Sequence, residues 1–533
     1  MRFFGSVILS GMLLALPASA ADSPSDLYVV RQDHWSGEDE QGYRDFVAAI
    51  GKSDCASLDA CLKSPANPFR DTDRAGYVFQ SDCADLPYVL RFYYAWKRGL
   101  PFSYVSDVRA RGATRDIRYS PGGNAVSART QVPSGVLSGY AVIEKMRAAV
   151  SSATYRLHPD GDEGDFYSPR IAPGSIAPGT VVYDPAGHVG IVYEVDDGRI
   201  RFFDAHTDYS LTSTTYDVRF ARDLPSVGAG FKNWRPIRLV GARTQDDGSL
   251  HDGHVALAAN ADIADFSDEQ FYGNGARPAD SAWKSGIFTL HGEQLDFYDY
   301  VRARLAGDTL EFDPVAEIRE MVRSNCADLH YRAQAVDLAL KAGLQERPQP
   351  AHLPENIYGS EGDWEIYSTP SRDARLKTAF KYLRDQVQRF VAMDRRKDPH
   401  LVYWGKNLVA DLLMVYRDET NRCSVTYIGS DGAPVKLSYE EARARLFAMS
   451  FDPYHCAERR WGAREPDELA RCRDDAQKQA WYDAEQSLRN RIERSYGVHM
   501  GYSLAALVLL PAPAAPDTDV VAYLESQMAE SAP

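Results

Sequence analysis

The chain lacks any long apolar run beyond its first twenty positions. The longest that follows, Tyr502 to Leu510, is about nine residues, and a membrane-spanning helix needs ~20. It also lacks an excess of positive charge. Lys+Arg number 60 against Asp+Glu 75, a formal net charge of −15, which argues against nucleic acid and anionic lipid as partners. Apolar residues at 44% and charged residues at 25% exclude a disordered, collagen-like or coiled-coil main body. Cysteine is scarce, with seven in the chain, so each one has to be placed. What is present, over 533 residues, is material for about two to four ordinary globular domains.

The first twenty residues read as an export signal, not as part of the fold. Arg2 gives a positive start, Val7 to Leu16 is mostly apolar, and Pro17-Ala18-Ser19-Ala20 ends in the small-x-small pattern that signal peptidase cleaves. The residue directly after that point is Ala21, not Cys, so no lipid anchor is expected. The expected location is the bacterial periplasm or the medium, where disulfides form. Seven cysteines are an odd number, so at least one thiol is free or pairs outside the chain. Cys55 with Cys61, and Cys456 with Cys472, are close enough in sequence to be partners. Cys83, Cys326 and Cys423 are left. If Cys326 pairs with Cys423, Cys83 is the lone thiol, an assignment the arithmetic permits without proving.

The pattern divides the chain in two, an α+β architecture. Residues 22–245 mix helix and strand signals. Residues 246–280, rich in Asp, Gly, Ala and Asn, read as a connector. Residues 281–511 are mostly helical, with helices expected at 293–306, 314–343, 371–395, 405–418, 438–449 and 465–496. One strand pair, 423–428 and 435–437, interrupts them around Ser430-Asp431-Gly432. The Arg/Glu-rich stretch at 464–496 reads as a solvated helix face. Residues 512–533 read as a flexible tail. A short echo stands out: Ser81-Asp82-Cys83-Ala84-Asp85-Leu86-Pro87-Tyr88 resembles Ser324-Asn325-Cys326-Ala327-Asp328-Leu329-His330-Tyr331. It places two cysteines near expected helix starts, although it is too short for a domain repeat.

The most informative segment runs from Pro178 to His206. It contains Pro178-Gly179-Thr180-Val181-Val182-Tyr183, then Gly187-His188-Val189-Gly190-Ile191-Val192, then Asp196-Asp197-Gly198, then Arg199 to His206. It reads as three strands joined by turns. Register decides what these strands can do. A two-residue loop at Asp197-Gly198 would pair Val195 with Ile200 and put Asp204 on the face away from His188. A three-residue loop pairs Val195 with Arg199, sets Gly190 opposite Asp204 and His188 opposite His206, and gathers these residues on one face. The three-residue loop is the expected one. His188 and Asp204 are then diagonal neighbours, with Gly190 leaving space in front of them.

Cys83 precedes an apolar helical pattern of Leu86, Val89, Leu90 and Tyr93. A helix N-terminus stabilises a thiolate, an imidazole can hold the thiol proton, and Asp204 or His206 can orient that imidazole. Backbone N–H groups at the helix start, with Gln80 as a side-chain donor, are the expected oxyanion hole. Pro87 cannot donate to the Cys83 carbonyl. Cys83 therefore sits in the turn before a helix capped by Asp85, or else the site is degenerate.

A Cys at a helix start, then Gly-His-Val-Gly-Ile-Val on a strand, then a polar residue on the next strand resembles the papain-like cell-wall hydrolases. The nearest patterns are the NlpC-type peptidases and the CHAP amidases; transglutaminase-like proteases are a near neighbour. The resemblance covers about residues 77–240. It implies a papain-like N-terminal domain, a helix packed on an antiparallel sheet, with Cys83 as nucleophile, His188 as base, and Asp204 or His206 as the third residue. The implied function is an exported cysteine hydrolase cleaving amide bonds, in peptidoglycan or peptides. The alternatives are a transglutaminase-like peptidase or acyltransferase acting on proteins, and a non-catalytic envelope-binding module with a degenerate site. The stretch 104–135 is then an inserted loop along the substrate groove.

Nothing in the sequence names a cofactor or a metal. His251-x-x-His254 lies in the connector without Cys partners, and Glu361-Gly362-Asp363 lacks the other positions of a calcium loop. The helical region reads as a structural or protein-binding appendage and not as a second active site.

Overall fold

The structure, a computed structural model, describes residues 26–359, 362–367 and 370–530. The expected export signal lies outside the described residues. The chain is mixed helix and strand, an α+β fold.

Helix α1 (Gly37–Lys52) starts at a Ser36–Asp39 capping box. Helix α2 (Asp85–Arg98) is buried at every residue from Asp85 to Trp96 and ends on Gly99 at φ 68°. Two strands follow, β1 (Ser103–Ala110) and β2 (Asn124–Gln131), then helix α3 (Gly139–Ala149). The expected inserted loop over 104–135 is therefore an antiparallel hairpin.

A six-stranded sheet carries the rest of this half. Its members are β3 (Phe166–Tyr167), β4 (Val181–Tyr183), β5 (Val189–Asp196), β6 (Arg199–Ala205), β7 (Leu211–Thr215) and β8 (Gly230–Trp234). They lie in the order β3-β8-β4-β5-β6-β7, all antiparallel. One face buries Val181, Tyr183, Val189, Ile191, Phe203 and Ala205 against α1, α2 and α3. The other buries Val182, Val192, Ile200, Phe202 and Phe231 against helix α4 (Phe297–Leu305). The sheet's second face is thus covered from beyond the expected boundary at 281.

Residues 246–280 are not a free connector. His254–Leu257 pairs with Ile237–Val240, and the buried Gln270 exchanges hydrogen bonds with both backbone groups of Phe231. Gln270, Phe271 and Tyr272 are buried here, and the Asp/Gly/Asn-rich composition around them hid that anchoring.

The helical half centres on α5 (Pro314–Lys341), α6 (Pro370–Arg396) and α7 (Leu408–Asn421). Its hairpin forms at Ser424–Ile428 and Pro434–Ser438. Two expectations fail here. The stretch 465–496 is broken into short helices, of which α8 (Ala476–Ala484) is the longest. It is no solvated face, because Trp481, Glu485 and Arg489 are at most 1% exposed. The tail also folds: helix α9 (Val520–Glu530) buries Val520 and Leu524 in the second core. Cys326, expected near a helix start, lies in the middle of α5. Its echo of Cys83 is therefore one of letters, not of structure.

Three disulfides join Cys55–Cys61, Cys326–Cys423 and Cys456–Cys472, and Cys83 is the free thiol. Cys326–Cys423 closes 97 residues and ties α5 to the start of the hairpin. Removing it with Cys326→Ser and Cys423→Ser together is expected to cost about 2–4 kcal/mol. A guanidinium unfolding midpoint checks this, and an unchanged midpoint would contradict it.

Candidate active site

The site begins with a turn. Asp197 and Gly198 have φ of 48° and 74°, which makes a two-residue turn of the kind Asp-Gly favours. Val195 pairs with Ile200, so the expected three-residue loop is not formed. By that register alone Asp204 would point away from His188. A β-bulge between Val192 and Glu194 restores the phase, because Tyr193 takes up one extra residue. Ile191 then faces Phe203, and one step further Gly190 faces Asp204. The expected gathering is reached by another route.

Gly190 serves a different purpose from the one expected. A Cβ there would lie 2.4 Å from the Phe202 ring. The missing side chain makes room for the core beneath the site, not for a substrate in front of it.

Asp204 is fully buried and is the hub. Its Oδ2 is hydrogen-bonded to His188 Nε2. Across the sheet, Thr212 is its direct partner on β7 and donates from Oγ1 to Asp204 Oδ1 at 2.9 Å. Thr212 has one proton to give, so His206 Nε2, 2.8 Å away, donates to it. His206 approaches Asp204 itself only at 3.7 Å. Asp204, not His206, holds the His188 ring. With Nε2 taken, Nδ1 is the His188 nitrogen left to accept a proton.

Cys83 lies in the turn ahead of α2. Asp82, not Asp85, caps the helix: its Oδ1 accepts from the Ala84 and Asp85 N–H groups. Pro87 falls in the first turn, where no intrahelical donor is needed. Cys83 and His188 line one cleft of about 230 Å³. Cys83 packs against the helix-side core, whereas Asp204 belongs to the face opposite, and the two meet where the strands end. Among the described residues no hydrogen bond joins the Cys83 thiol to His188. Gln80 is not among the residues lining the cleft.

The far wall comes from the helical half. Helix α5 supplies Asp328 and Tyr331, and α6 supplies Arg372 and Arg375. Tyr331 stacks on His206 with centroids 4.6 Å apart. Arg375 reaches the hub itself: Nη1 donates to Asp204 Oδ2 at 3.1 Å, and Nη2 donates to Thr214 Oγ1 at 3.3 Å. Nη1 also lies 3.2 Å from His188 Nε2. His188 cannot both donate to Asp204 and accept from Arg375 through one nitrogen, so the carboxylate takes both donors.

The electrostatics follow. Burial would raise Asp204, but Arg375, His188 and His206 overcome it and hold the carboxyl far below its usual range. Burial pushes His206 down to about 3 against the pull of Asp204, so that ring is neutral. Burial raises the Cys83 thiol well above 9.0, helped by Asp82, Asp204 and Asp85; the Val189 N–H works the other way. Burial, then Asp82, also raises Asp85 to about 8. In this arrangement the thiol rests protonated.

Arg375, Arg372, Thr212, Thr214, Asp328 and Tyr331 are the residues that sequence reasoning missed. Asp328 and Tyr331 lie inside the eight-residue echo, which was the one available signal. Nothing local marks Arg375, which acts 171 positions away from Asp204.

No family model matches this chain, and neither the curated proteins nor the solved structures give a match.

A thiol raised above its usual range is neutral at pH 7, so its alkylation depends on hydroxide. Iodoacetamide is expected to modify Cys83 slowly at pH 7 and faster as the pH passes 9, read by peptide mass mapping. A rate already on its plateau below pH 7 would mean a preformed thiolate and contradict this. Arg375→Ala removes the one guanidinium that shares Asp204 Oδ2 with His188, so the carboxylate stabilises a protonated His188 more strongly and transfer of the thiol proton to that ring is favoured. Alkylation at pH 7 should then quicken, by about tenfold if the lost contact is worth about 1.4 kcal/mol. An unchanged rate would show that Arg375 does not control the thiol.

Proposed function

We propose that this protein is an exported cysteine hydrolase of papain-like design that cleaves amide bonds, with peptidoglycan stem peptides as the substrate. The observation that carries the reading is the free thiol at a helix start in one cleft with an imidazole whose far nitrogen is held by a buried carboxylate. Three disulfides, and the absence of any helix long and apolar enough to cross a membrane among the described residues, agree with an exported protein.

In the proposed reaction His188 Nδ1 takes the thiol proton as Cys83 Sγ attacks the amide carbonyl carbon. The Cys83 N–H donates no hydrogen bond among the described residues and is free to meet the developing oxyanion. The C–N bond then breaks, and the amine leaves with the proton from His188. Water, giving a proton to His188, splits the thioester to a carboxylate, and the thiol is restored. Asp204 keeps the ring oriented throughout.

Stem peptides carry free carboxylates, and the cleft offers arginines to meet them. Arg372 Nη1 is buried without a hydrogen-bond partner, and its ion pair with Asp208 is long, at 3.9 Å. A guanidinium in this position suits a substrate carboxylate.

A second reading, a binding module with a silent site, is favoured by the protonated thiol and by Arg375 on the hub. One experiment separates them. Purified sacculi are digested with wild type, Cys83→Ala and Asp204→Asn, and released amines are counted. The hydrolase reading expects Cys83→Ala to lose about a thousandfold or more and Asp204→Asn roughly 10²- to 10⁴-fold. Binding of sacculi without amine release would establish the module instead. Product that forms only with added amine would indicate an acyltransferase.

A further inference from the structure

Away from the cleft, the helical half buries a second polar cluster. Asp452, His455, Glu485 and Ser450 are each 0% exposed. One donor atom from each of Asp452, His455 and Glu485 lies within 4.8 Å of the others. The cluster joins the 450–456 segment to the C-terminal end of α8, where Glu485 is the cap residue.

Two features distinguish it from an ordinary buried ion pair. The first is Glu485, whose two carboxylate oxygens are buried with no hydrogen-bond partner. The nearest cation, Arg489 Nη1, is 3.7 Å from Oε2. A carboxylate so placed carries a desolvation cost of several kcal/mol unless something compensates it. The second is the ring orientation of His455. Its Nε2 faces the Lys478 carbonyl at 3.2 Å. A carbonyl only accepts, so the proton is on Nε2 and Nδ1 presents a lone pair. Nδ1 lies 3.9 Å from Glu485 Oε2 and 2.7 Å from Ser450 Oγ. With Nε2 donating to that carbonyl, Nδ1 accepts from the Ser450 hydroxyl; an imidazole pinned by a carbonyl at one nitrogen, with an exchangeable hydroxyl proton on the other, is oriented as a metal-bound histidine is.

Asp452 is held in the same way. Its Oδ1 accepts the Tyr454 N–H at 2.8 Å and its Oδ2 accepts Gln349 Nε2. Each oxygen keeps a second lone pair. Cys456 lies beside the cluster but is bonded to Cys472 and offers no thiolate.

We propose that Asp452, His455 and Glu485 bind a borderline divalent cation, zinc in the first instance, through one imidazole nitrogen and two carboxylates, with Ser450 Oγ as a further oxygen. The donor set is the nitrogen-and-oxygen mixture that zinc and manganese accept. The ion's role is structural: the Ser450 carbonyl accepts from Arg332 Nη2 at 3.1 Å and from Arg460 Nε at 3.0 Å. Arg332 in turn pairs with Asp373 on α6, the helix that carries Arg372 and Arg375. The ion braces the wall of the cleft without touching it, so the inference does not depend on the proposed hydrolysis.

The test uses the full mature chain produced in zinc-replete and in metal-depleted medium. Elemental analysis is expected to find one equivalent of metal per chain in the first, and zinc added during refolding of the second is expected to raise Tm by several degrees. Glu485→Gln and His455→Gln should each abolish both effects. Cys83→Ala, which removes the free thiol as an alternative zinc ligand, should leave both intact. Three results would overturn the proposal: no metal above background with no Tm response in the wild type, metal retained by Glu485→Gln, or loss of metal in Cys83→Ala. The wild-type measurement decides even if a variant fails to fold. A Glu485→Gln chain that is more stable than wild type and indifferent to zinc would mean that the two carboxylates share a proton instead.

Discussion

The buried carboxylate of Asp204 is the constraint on which the site is built. A charge with no access to water has to be met by partners, and four groups meet this one: His188, Thr212, Arg375 and, at longer range, His206. Those partners come from β7, from the turn before β5, from the turn after β6, and from a helix of the other half. Satisfying Asp204 therefore aligns the sheet register, the ring of His188 and the seating of α6 together. The same charge also helps keep the Cys83 thiol protonated, so the group that orients the imidazole also acts on the thiol.

The helical half is part of the site's construction. Its α4 covers the second face of the sheet, and α5 and α6 form the wall of the cleft facing Cys83 and His188. Access to the thiol is then a property of how α6 sits. The Arg332–Asp373 pair and the 450–456 segment behind it are where that seating is set. An appendage joined by a connector would have no such influence.

Much of this was legible in the chain, and what was not has physical reasons. An odd cysteine count required at least one thiol outside an internal disulfide, and the fold, by joining Cys326 to Cys423, makes it Cys83; the long helices followed from their apolar periodicity. The sharing of a face by His188 and Asp204 was expected from the wrong turn. Asp197-Gly198 obeyed its local preference, and a bulge at Tyr193 supplied the missing residue. Bulges answer to packing across the sheet, here Tyr193 reaching Ser213 at 2.9 Å, and leave no local mark. Arg375 was illegible for the same reason, since an arginine on a helix reads as solvated until the fold brings a carboxylate to it. The stretch 465–496 looked solvated from its charged composition, which cannot tell that Trp481, Glu485 and Arg489 are buried. The tail was read from its prolines, and its last helix was overlooked.

The central claim is that Cys83 becomes an acyl carrier when His188 accepts its proton. The most direct measurement is quenched-flow mass spectrometry of the protein with soluble stem-peptide esters, followed by mapping of the modified peptide. The account predicts a transient thioester on the peptide containing Cys83, formed and lost at the rate of turnover. Turnover with Cys83 unmodified, or an acyl group found on another residue, would contradict it.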